Sequence, residues 1–328
     1  MKLTANSFEA NHRVLVSGLS GTGKSTLLAK LAESFDLIWL DLENGKDVLT
    51  KLSPAALERI EYISIPDSAS YPIAAQTLMS LFKSNKANIC ELHGKDNCAL
   101  CRKDNLPTVQ LDFTHLPSST IVVIDGITQL AASILAYTCK DKPVDYKPER
   151  DDWGALRKYS EFFASQFQAF QGNLACTCHA VEAEMEDGRT KLVPSFGSKD
   201  MSTKIAKAFS DVVYCDVKNR KHIAFSASTA SSTVLTKSRS DFLVENCDVP
   251  SLVGLFSSNK VVAPTDIAEQ LLGKEVLVTI AVNNPAPDEV VKLDLSGVPA
   301  AQVTPAAQAA SNLSARLAAI RASKVAPQ

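Results

Sequence analysis

Residues Gly18-Leu19-Ser20-Gly21-Thr22-Gly23-Lys24-Ser25 fit the spacing G-x-x-x-x-G-K-[ST] at every fixed position. That spacing suits one kind of chemistry. Glycines let several backbone N–H groups converge on phosphate oxygens, and a helix N-terminus behind them adds positive potential. Lys24 is placed to reach the β- and γ-phosphates of a nucleoside triphosphate such as ATP, and Ser25 to ligate Mg2+. Gly18, Gly21, Thr22, Gly23 and Thr26 complete the cradle. The flanks agree. Arg13 to Ser17 reads as a short apolar strand, and Ser25 to Ser34 carries Leu27, Leu28, Leu31 and Ala32 on a helical stripe.

A second acidic signal follows a hundred residues later. Ile121-Val122-Val123-Ile124 forms a buried strand with Asp125 at its C-terminal end, the Walker B arrangement, in which the carboxylate holds Mg2+. Between the two, Leu37-Ile38-Trp39-Leu40 reads as a parallel-sheet strand ending in Asp41-Leu42-Glu43. Side chains alternate along a strand, so Asp41 and Glu43 are expected on one face at its C-terminal end, where open α/β sheets bind ligands. There Glu43 would polarise a water and accept its proton; a solvated loop carboxylate is the plainer alternative. Leu174 to Cys178 is a further strand ending at His179, where a polar side chain can sense the γ-phosphate; a capping histidine is the alternative.

A different chemistry sits in the segment Cys90-Glu91-Leu92-His93-Gly94-Lys95-Asp96-Asn97-Cys98-Ala99-Leu100-Cys101. Cys90-x2-His93 and Cys98-x2-Cys101 offer the four N/S ligands of a structural Zn2+, which would staple a polar loop lacking an apolar core of its own.

The elements that must position these groups read as alternating strands and helices. Glu61 to Ile65 is a strand stopped by Pro66, and Tyr71 to Lys83 a helix. Gly126 begins another helix. Asp151-Asp152 caps a third, with Trp153, Leu156, Phe163, Phe167 and Phe170 on one apolar side. Glu182 to Ser198 reads as a long charged loop. Val212 to Val217 is a strand, and His222 to Ser226 with Thr233 to Thr236 reads as a closing antiparallel pair. Lys237 and Arg239, at i and i+2 of an extended segment, project the same way. This pattern predicts an α/β fold, a central mostly parallel sheet flanked by helices, over residues 1–248 with an insert at about 84–107. A C-terminal extension, 249–328, is expected to hold a helix at Asp266–Leu272 and strands at Val276–Val282 and Glu289–Leu295. From about 299 it is Ala- and Pro-rich, an expected tail with a helix at Ser311–Ser323.

Composition sets bounds. Hydrophobic residues are 45% and charged residues 21%, ordinary for a globular chain, and the net charge of -2 removes overall basicity as an argument for nucleic-acid binding. The sequence has no apolar run near the ~20 residues of a membrane span and no signal-peptide core at Met1 to Asn6. A cytoplasmic location is therefore expected, with the eight cysteines as thiols or metal ligands.

The order of phosphate loop, Asp-x-Glu strand, Walker B strand, polar sensor strand and paired cations resembles the RecA-type recombinase core over Arg13 to Phe242. It is similar, more closely, to the phage RecA-like P-loop ATPases of single-strand annealing and recombination, a likeness shared by the Cys/His insert and the Asp-Trp-Gly helix start. The resemblance implies a RecA-like P-loop NTPase core that hydrolyses ATP with Mg2+. It implies a homo-oligomeric ring or filament, single-stranded DNA as partner, a single-strand binding protein as a further one, and a phage protein in a bacterial host cytoplasm. By the same resemblance Glu43 matches the catalytic glutamate, Asp125 the Walker B aspartate, and His179 stands where the core has a glutamine sensor. Lys237 and Arg239 match cations that act on a neighbour's nucleotide. Gly126 departs from the usual serine. Two other functions compete. A hexameric helicase-type motor is suggested by Lys218-Asn219-Arg220, which resembles the finger motif of those helicases. The other is a nucleotide-gated switch or packaging partner without DNA activity.

Overall fold

In the computed structural model the described residues are 11–68, 71–143, 145–185, 188–226, 233–239, 251–257, 277–278 and 291–292. Two units are distinct, Met1–Asn259 and Lys260–Gln328.

The first unit is built on β1 (Arg13–Gly18), which is apolar on both faces. Val14 and Val16 enter one core layer and Leu15 the other, all fully buried. In chain order the strands are then β2 (Asp36–Asp41), β3 (Ile60–Ser64), β4 (Lys86–Cys90), β5 (Thr108–Asp112), β6 (Thr120–Asp125), β7 (Asn173–Glu184), β8 (Thr190–Pro194), β9 (Asp211–Lys218) and β10 (Lys221–Phe225). The helices are α1 (Lys24–Ala29), α2 (Pro54–Leu57), α3 (Ile73–Ser84), α4 (Ala99–Lys103), α5 (Ile127–Thr138), α6 (Arg150–Ala169), α7 (Lys199–Lys204) and α8 (Val253–Ser257). The sheet runs β10-β9-β1-β7-β6-β2-β3. Every neighbouring pair is parallel except β9 with β10, which is a hairpin. The expected α/β class, a mostly parallel sheet flanked by helices, is what the chain adopts.

Parallel pairs need crossovers, and these clothe both faces. On one face α3, α5 and α6 meet around Phe82, whose ring packs edge-on against Phe113, Phe163, Phe167 and Phe170 at 5.6–6.3 Å. On the other, Leu27 and Leu28 of α1 cover Val14, Val16, Trp39 and Val123. Leu252, Leu255 and Phe256 belong to this same layer.

Several expectations change. Trp153 is 49% exposed and lies off the apolar stripe that buries Leu156, Phe163 and Phe167. The cap of α6 is Glu149, and Asp152 reaches back to the Glu149 N–H at 2.8 Å to close a capping box. The segment from Glu182 is not a plain loop: β7 runs on to Glu184 and pairs antiparallel with β8, forming an arm beyond the main sheet. The strand at His222–Ser226 pairs with β9, not with Thr233–Thr236; the latter segment bridges to Leu192 and, through Lys237, to Val212. The Cys/His insert has a stem, the β4–β5 hairpin, which local composition did not reveal.

Of the second unit the described residues are Leu277–Val278, antiparallel to Val291–Lys292. The helices expected at Asp266–Leu272 and Ser311–Ser323, the rest of both strands and the tail lie outside the described residues. Among the described residues no helix is long and apolar enough to cross a membrane.

Candidate active site

Parallel register brings the predicted groups to one end of the sheet. Gly18 ends β1 opposite His179 of β7 and Cys215 of β9, and Asp41 ends β2 opposite Asp125 of β6. The loop after β1 needs glycine where it turns. At Gly18 a Cβ would lie 2.5 Å from the Cys215 carbonyl oxygen, and Gly23, at φ 91°, is the left-handed residue that starts α1. Lys24 is buried, and its Nζ donates to the Leu19 carbonyl at 2.9 Å; Thr22 Oγ1 donates to the same oxygen at 2.8 Å. Gly21 stands at φ 76° on the exposed tip, and Thr26 is half-buried in the first turn of α1.

Ser25 Oγ donates to Asp125 Oδ1 at 2.8 Å, so the hydroxyl and carboxylate predicted for Mg2+ meet across a hundred residues. Thr177 Oγ1 donates to the same oxygen at 2.6 Å and accepts from the Gly126 N–H at 2.8 Å. Asp125 is 2% exposed, and burial pushes its carboxyl up to about 6, although the two hydroxyl donors pull it down. The charges of Asp41 and Glu43 add to the rise. This all-oxygen pair fits a hard divalent cation, which would relieve the buried charge.

Asp41 and Glu43 do not share a pleat face, because the strand stops at Asp41. Asp41 is fully buried and accepts from the Glu43 N–H at 2.9 Å, the Gly45 N–H at 2.8 Å and the Tyr62 hydroxyl at 2.6 Å. It shapes the turn that carries Glu43. Burial and the Asp41 carboxylate in turn push the Tyr62 phenol well above its usual range. The Glu43 side chain, 34% exposed, puts Oε1 3.6 Å from His179 Nε2. It also crosses Gly126 closely: a Cβ there would fall 2.5 Å from Glu43 Cγ, and Gly126 holds φ 105°. The missing serine therefore has a local cause, since only glycine leaves room for this carboxylate. His179 is fixed from behind. Its N–H donates to Thr128 Oγ1 at 2.9 Å, its carbonyl accepts from the Ser195 N–H at 2.7 Å, and Thr128 Oγ1 donates to the Ser195 carbonyl at 2.9 Å.

Lys237 and Arg239 are not brought to this end, and they do not project as a pair. Lys237 pairs with Val212 near the start of β9, and its Nζ donates to the carbonyls of Ala206 and Phe209. Burial lowers its pKa, and Arg239 lowers it further. Arg239 is exposed and donates its N–H to Asp211 Oδ1 at 3.2 Å. Lys218 and Arg220, in contrast, are exposed at the β9–β10 turn, beyond Cys215 at the phosphate-loop end; Asn219 and Arg220 turn at φ 52° and 63°.

The insert gathers Cys90, His93, Cys98 and Cys101, with one ligand atom from each lying within 4.8 Å of the others. His93 Nδ1 is 3.2 Å from Cys101 Sγ, 3.7 Å from Cys98 Sγ and 3.9 Å from Cys90 Sγ. Those are edge lengths of a tetrahedron with radii of about 2.0–2.3 Å. The backbone N–H of Cys101 helps hold the Cys98 thiol down at about 7. Gly94, at φ 65°, seats the insert on β3: a Cβ there would meet the Ser64 carbonyl at 2.6 Å, and Thr77 Oγ1 donates to the Gly94 carbonyl at 2.8 Å.

Sequence reasoning missed Thr177, Thr128, Tyr62 and His222. Only Thr177 left a signal, as a hydroxyl inside the buried run of β7.

No curated protein matches this sequence. Two solved structures are similar at 14% identity. One is a prototypical ATPase from the type III secretion system of pathogenic bacteria, at TM-score 0.37 over 64% of this chain and 52% of that one. The other is the assembled ATPase EscN from the type III secretion system of enteropathogenic E. coli, at TM-score 0.35 over 62% and 43%. The chain thus spans about half the length of the solved proteins it matches. The sequence pattern of the AAA domain covers residues 10–242, from the strand before the phosphate loop to just past Arg239, and over that span the chain belongs to the AAA domain family of P-loop ATPases.

Proposed function

We propose that this ATPase couples ATP hydrolysis to work on single-stranded DNA, as a homo-oligomer, in strand annealing or recombination of the phage RecA-like kind. The observation that carries this reading is the Glu43–His179 pair, which sits beside Asp125 and at the root of the β7–β8 arm. A ligand that grips the arm moves the backbone of the residue facing the γ-phosphate, through the Ser195 and Thr128 hydrogen bonds.

In the chemistry that follows, Lys24 exchanges the Leu19 carbonyl for β- and γ-phosphate oxygens, and Gly18, Gly21, Thr22, Gly23 and Thr26 shape the cradle around them. Ser25 and Asp125 hold Mg2+, which when bound neutralises charge on the phosphates. Glu43 orients the attacking water and takes its proton at Oε1 as the new P–O bond forms and ADP leaves. His179 hydrogen-bonds Glu43 in one state and the γ-phosphate in the other. Negative charge on the transferring group needs a further cation, supplied from a neighbouring subunit. Arg239 is the exposed member of the expected pair; Lys237 serves the chain's own carbonyls. The exposed Lys218–Arg220 turn at the phosphate-loop end favours the second reading, a helicase-type motor with its fingers there. Zn2+ at Cys90, His93, Cys98 and Cys101 holds the insert closed, as the N/S donor set and spacing support.

The deciding experiment is the ATPase rate of the purified chain with and without single-stranded DNA, beside annealing and strand-displacement assays. DNA stimulation with annealing supports the first reading, and displacement without annealing the motor. A rate indifferent to DNA, with neither activity, overturns both in favour of a nucleotide-gated switch.

A further inference from the structure

The phosphate loop is held at both ends by one hairpin that lies more than 190 residues away in sequence. At its start, the Gly18 backbone packs against the Cys215 carbonyl of β9, close enough to forbid a side chain. At its end, the His222 ring of β10 stands over Gly23, where a Cβ would lie 3.1 Å from Nδ1. His222 Nδ1 is also 3.2 Å from the Thr22 carbonyl oxygen. A carbonyl only accepts, so this nitrogen carries the proton.

We propose that His222 is a positioning residue for ATP binding: its Nδ1–H fixes the peptide plane between Thr22 and Gly23. In a planar trans peptide the C=O and N–H point in opposite directions. With the Thr22 carbonyl drawn toward β10, the Gly23 N–H is turned away from β10. It is one of the loop donors that must converge on phosphate. A free peptide at this point would rotate readily, because glycine on its C-terminal side accepts most backbone angles. The ring adds a steric stop on the same glycine. The same residue links two regions. His222 lies two residues beyond the exposed Arg220, so a grip on the hairpin turn changes the seat of the chain's own phosphate loop. This inference needs only ATP binding, not a DNA role.

The full-length chain tests it with His222→Ala, His222→Asn and His222→Gln. In Asn the amide nitrogen occupies the place of Nδ1, whereas in Gln the donor sits one bond farther out, nearer to Nε2. His222→Ala is expected to raise KM for ATP about tenfold, the worth of one positioned hydrogen bond, with kcat within about twofold. The gain in Tm on adding Mg2+ and ATP shrinks to match, while Tm without nucleotide stays near wild type because the side chain is exposed. His222→Asn restores most of the KM, and His222→Gln little. A KM within twofold of wild type in His222→Ala overturns the proposal. So does equal behaviour of Asn and Gln, or a KM rise that tracks a fall in nucleotide-free Tm across all three variants, which would mark a strand-stability role.

Discussion

Gly126→Ala would test the placement of Glu43 without touching a charged group. The added methyl would lie 2.5 Å from Glu43 Cγ and 2.8 Å from Cδ and Oε1, well inside contact distance. Backbone is not what it strikes, so the glutamate side chain yields and swings off. Alanine must also hold φ 105°, which costs on the order of 1–2 kcal/mol for an L residue. With the lost packing, a total of about 2–3 kcal/mol corresponds to a fall in Tm of roughly 4–10 °C. The Ser25–Asp125 contact and the phosphate loop lie outside the clash, so the Kd for Mg2+-ATP should stay within about threefold. If Glu43 is the base, hydrolysis falls on the order of 10²-fold. The assay is single-turnover hydrolysis beside nucleotide binding by Tm gain. A double-mutant cycle sharpens it: in a Glu43→Ala background, Gly126→Ala has no carboxylate left to displace, so it should cost no further rate. A folded Gly126→Ala that hydrolyses ATP at the wild-type rate, or two rate losses that multiply, would refute the reasoning.

Lys24→Ala should abolish tight ATP binding or turnover by removing the cation that faces the phosphates, and isothermal titration would show it. Asp125→Asn should stabilise the metal-free protein at pH 8 while ending Mg2+-dependent turnover. Its carboxyl is raised from the ordinary 3.8 to about 6 by burial, so the folded state gains stability on protonation, and that gain is lost as pH rises through 6. The charged form costs roughly 3 kcal/mol at pH 8, and calorimetry should find the Tm difference between variant and wild type vanishing near pH 4. Equal differences at both pH values would contradict it. Elemental analysis of reduced protein should give one Zn2+ per chain, and chelation should raise amide exchange between β4 and β5 while leaving the ATP-induced Tm gain intact. Lys237→Ala should lower Tm, because the Phe209 carbonyl loses its ammonium donor and the Ala206 carbonyl keeps only the longer Phe209 N–H at 3.4 Å. Arg239→Ala and Arg220→Ala should not, so whichever of these loses ATPase and regains it in mixtures with Lys24→Ala identifies the cation given in trans.

Local patterns were legible in the sequence. The phosphate loop, Asp125 and the Cys/His spacing each lie within one short stretch, and strands apolar on both faces announced a parallel sheet. What depends on distant pairing was not. The β7–β8 arm read as a loop because Glu182, Glu184, Arg189 and Lys191 mask its alternation, and its support comes from Thr233 to Leu235, forty residues on. Asp41 looked like a companion of Glu43 on one strand face because a sequence shows its charge but not the three donors around it. Trp153 looked buried by type, yet the first turn of α6 projects past the core. The resemblance matched Lys237 to a trans-acting cation, and the sequence did not show the two carbonyls that its Nζ meets within the chain.

The sheet order has a consequence for how the chain is made. Strand β1 leaves the ribosome well before both of its partners: His12 bonds Asn173 across 161 residues, and Arg13 bonds Ser210 across 197. Until β7 and β9 emerge, the first strand has two unpaired edges and its glycine loop has no wall. Such long closures fold slowly and leave apolar edges open to wrong pairing. Nascent chains halted before about residue 218 should therefore fail to retain ATP, however complete their phosphate-loop sequence. Chaperone dependence should concentrate in that same interval of synthesis, ending when the β9–β10 hairpin closes against the loop.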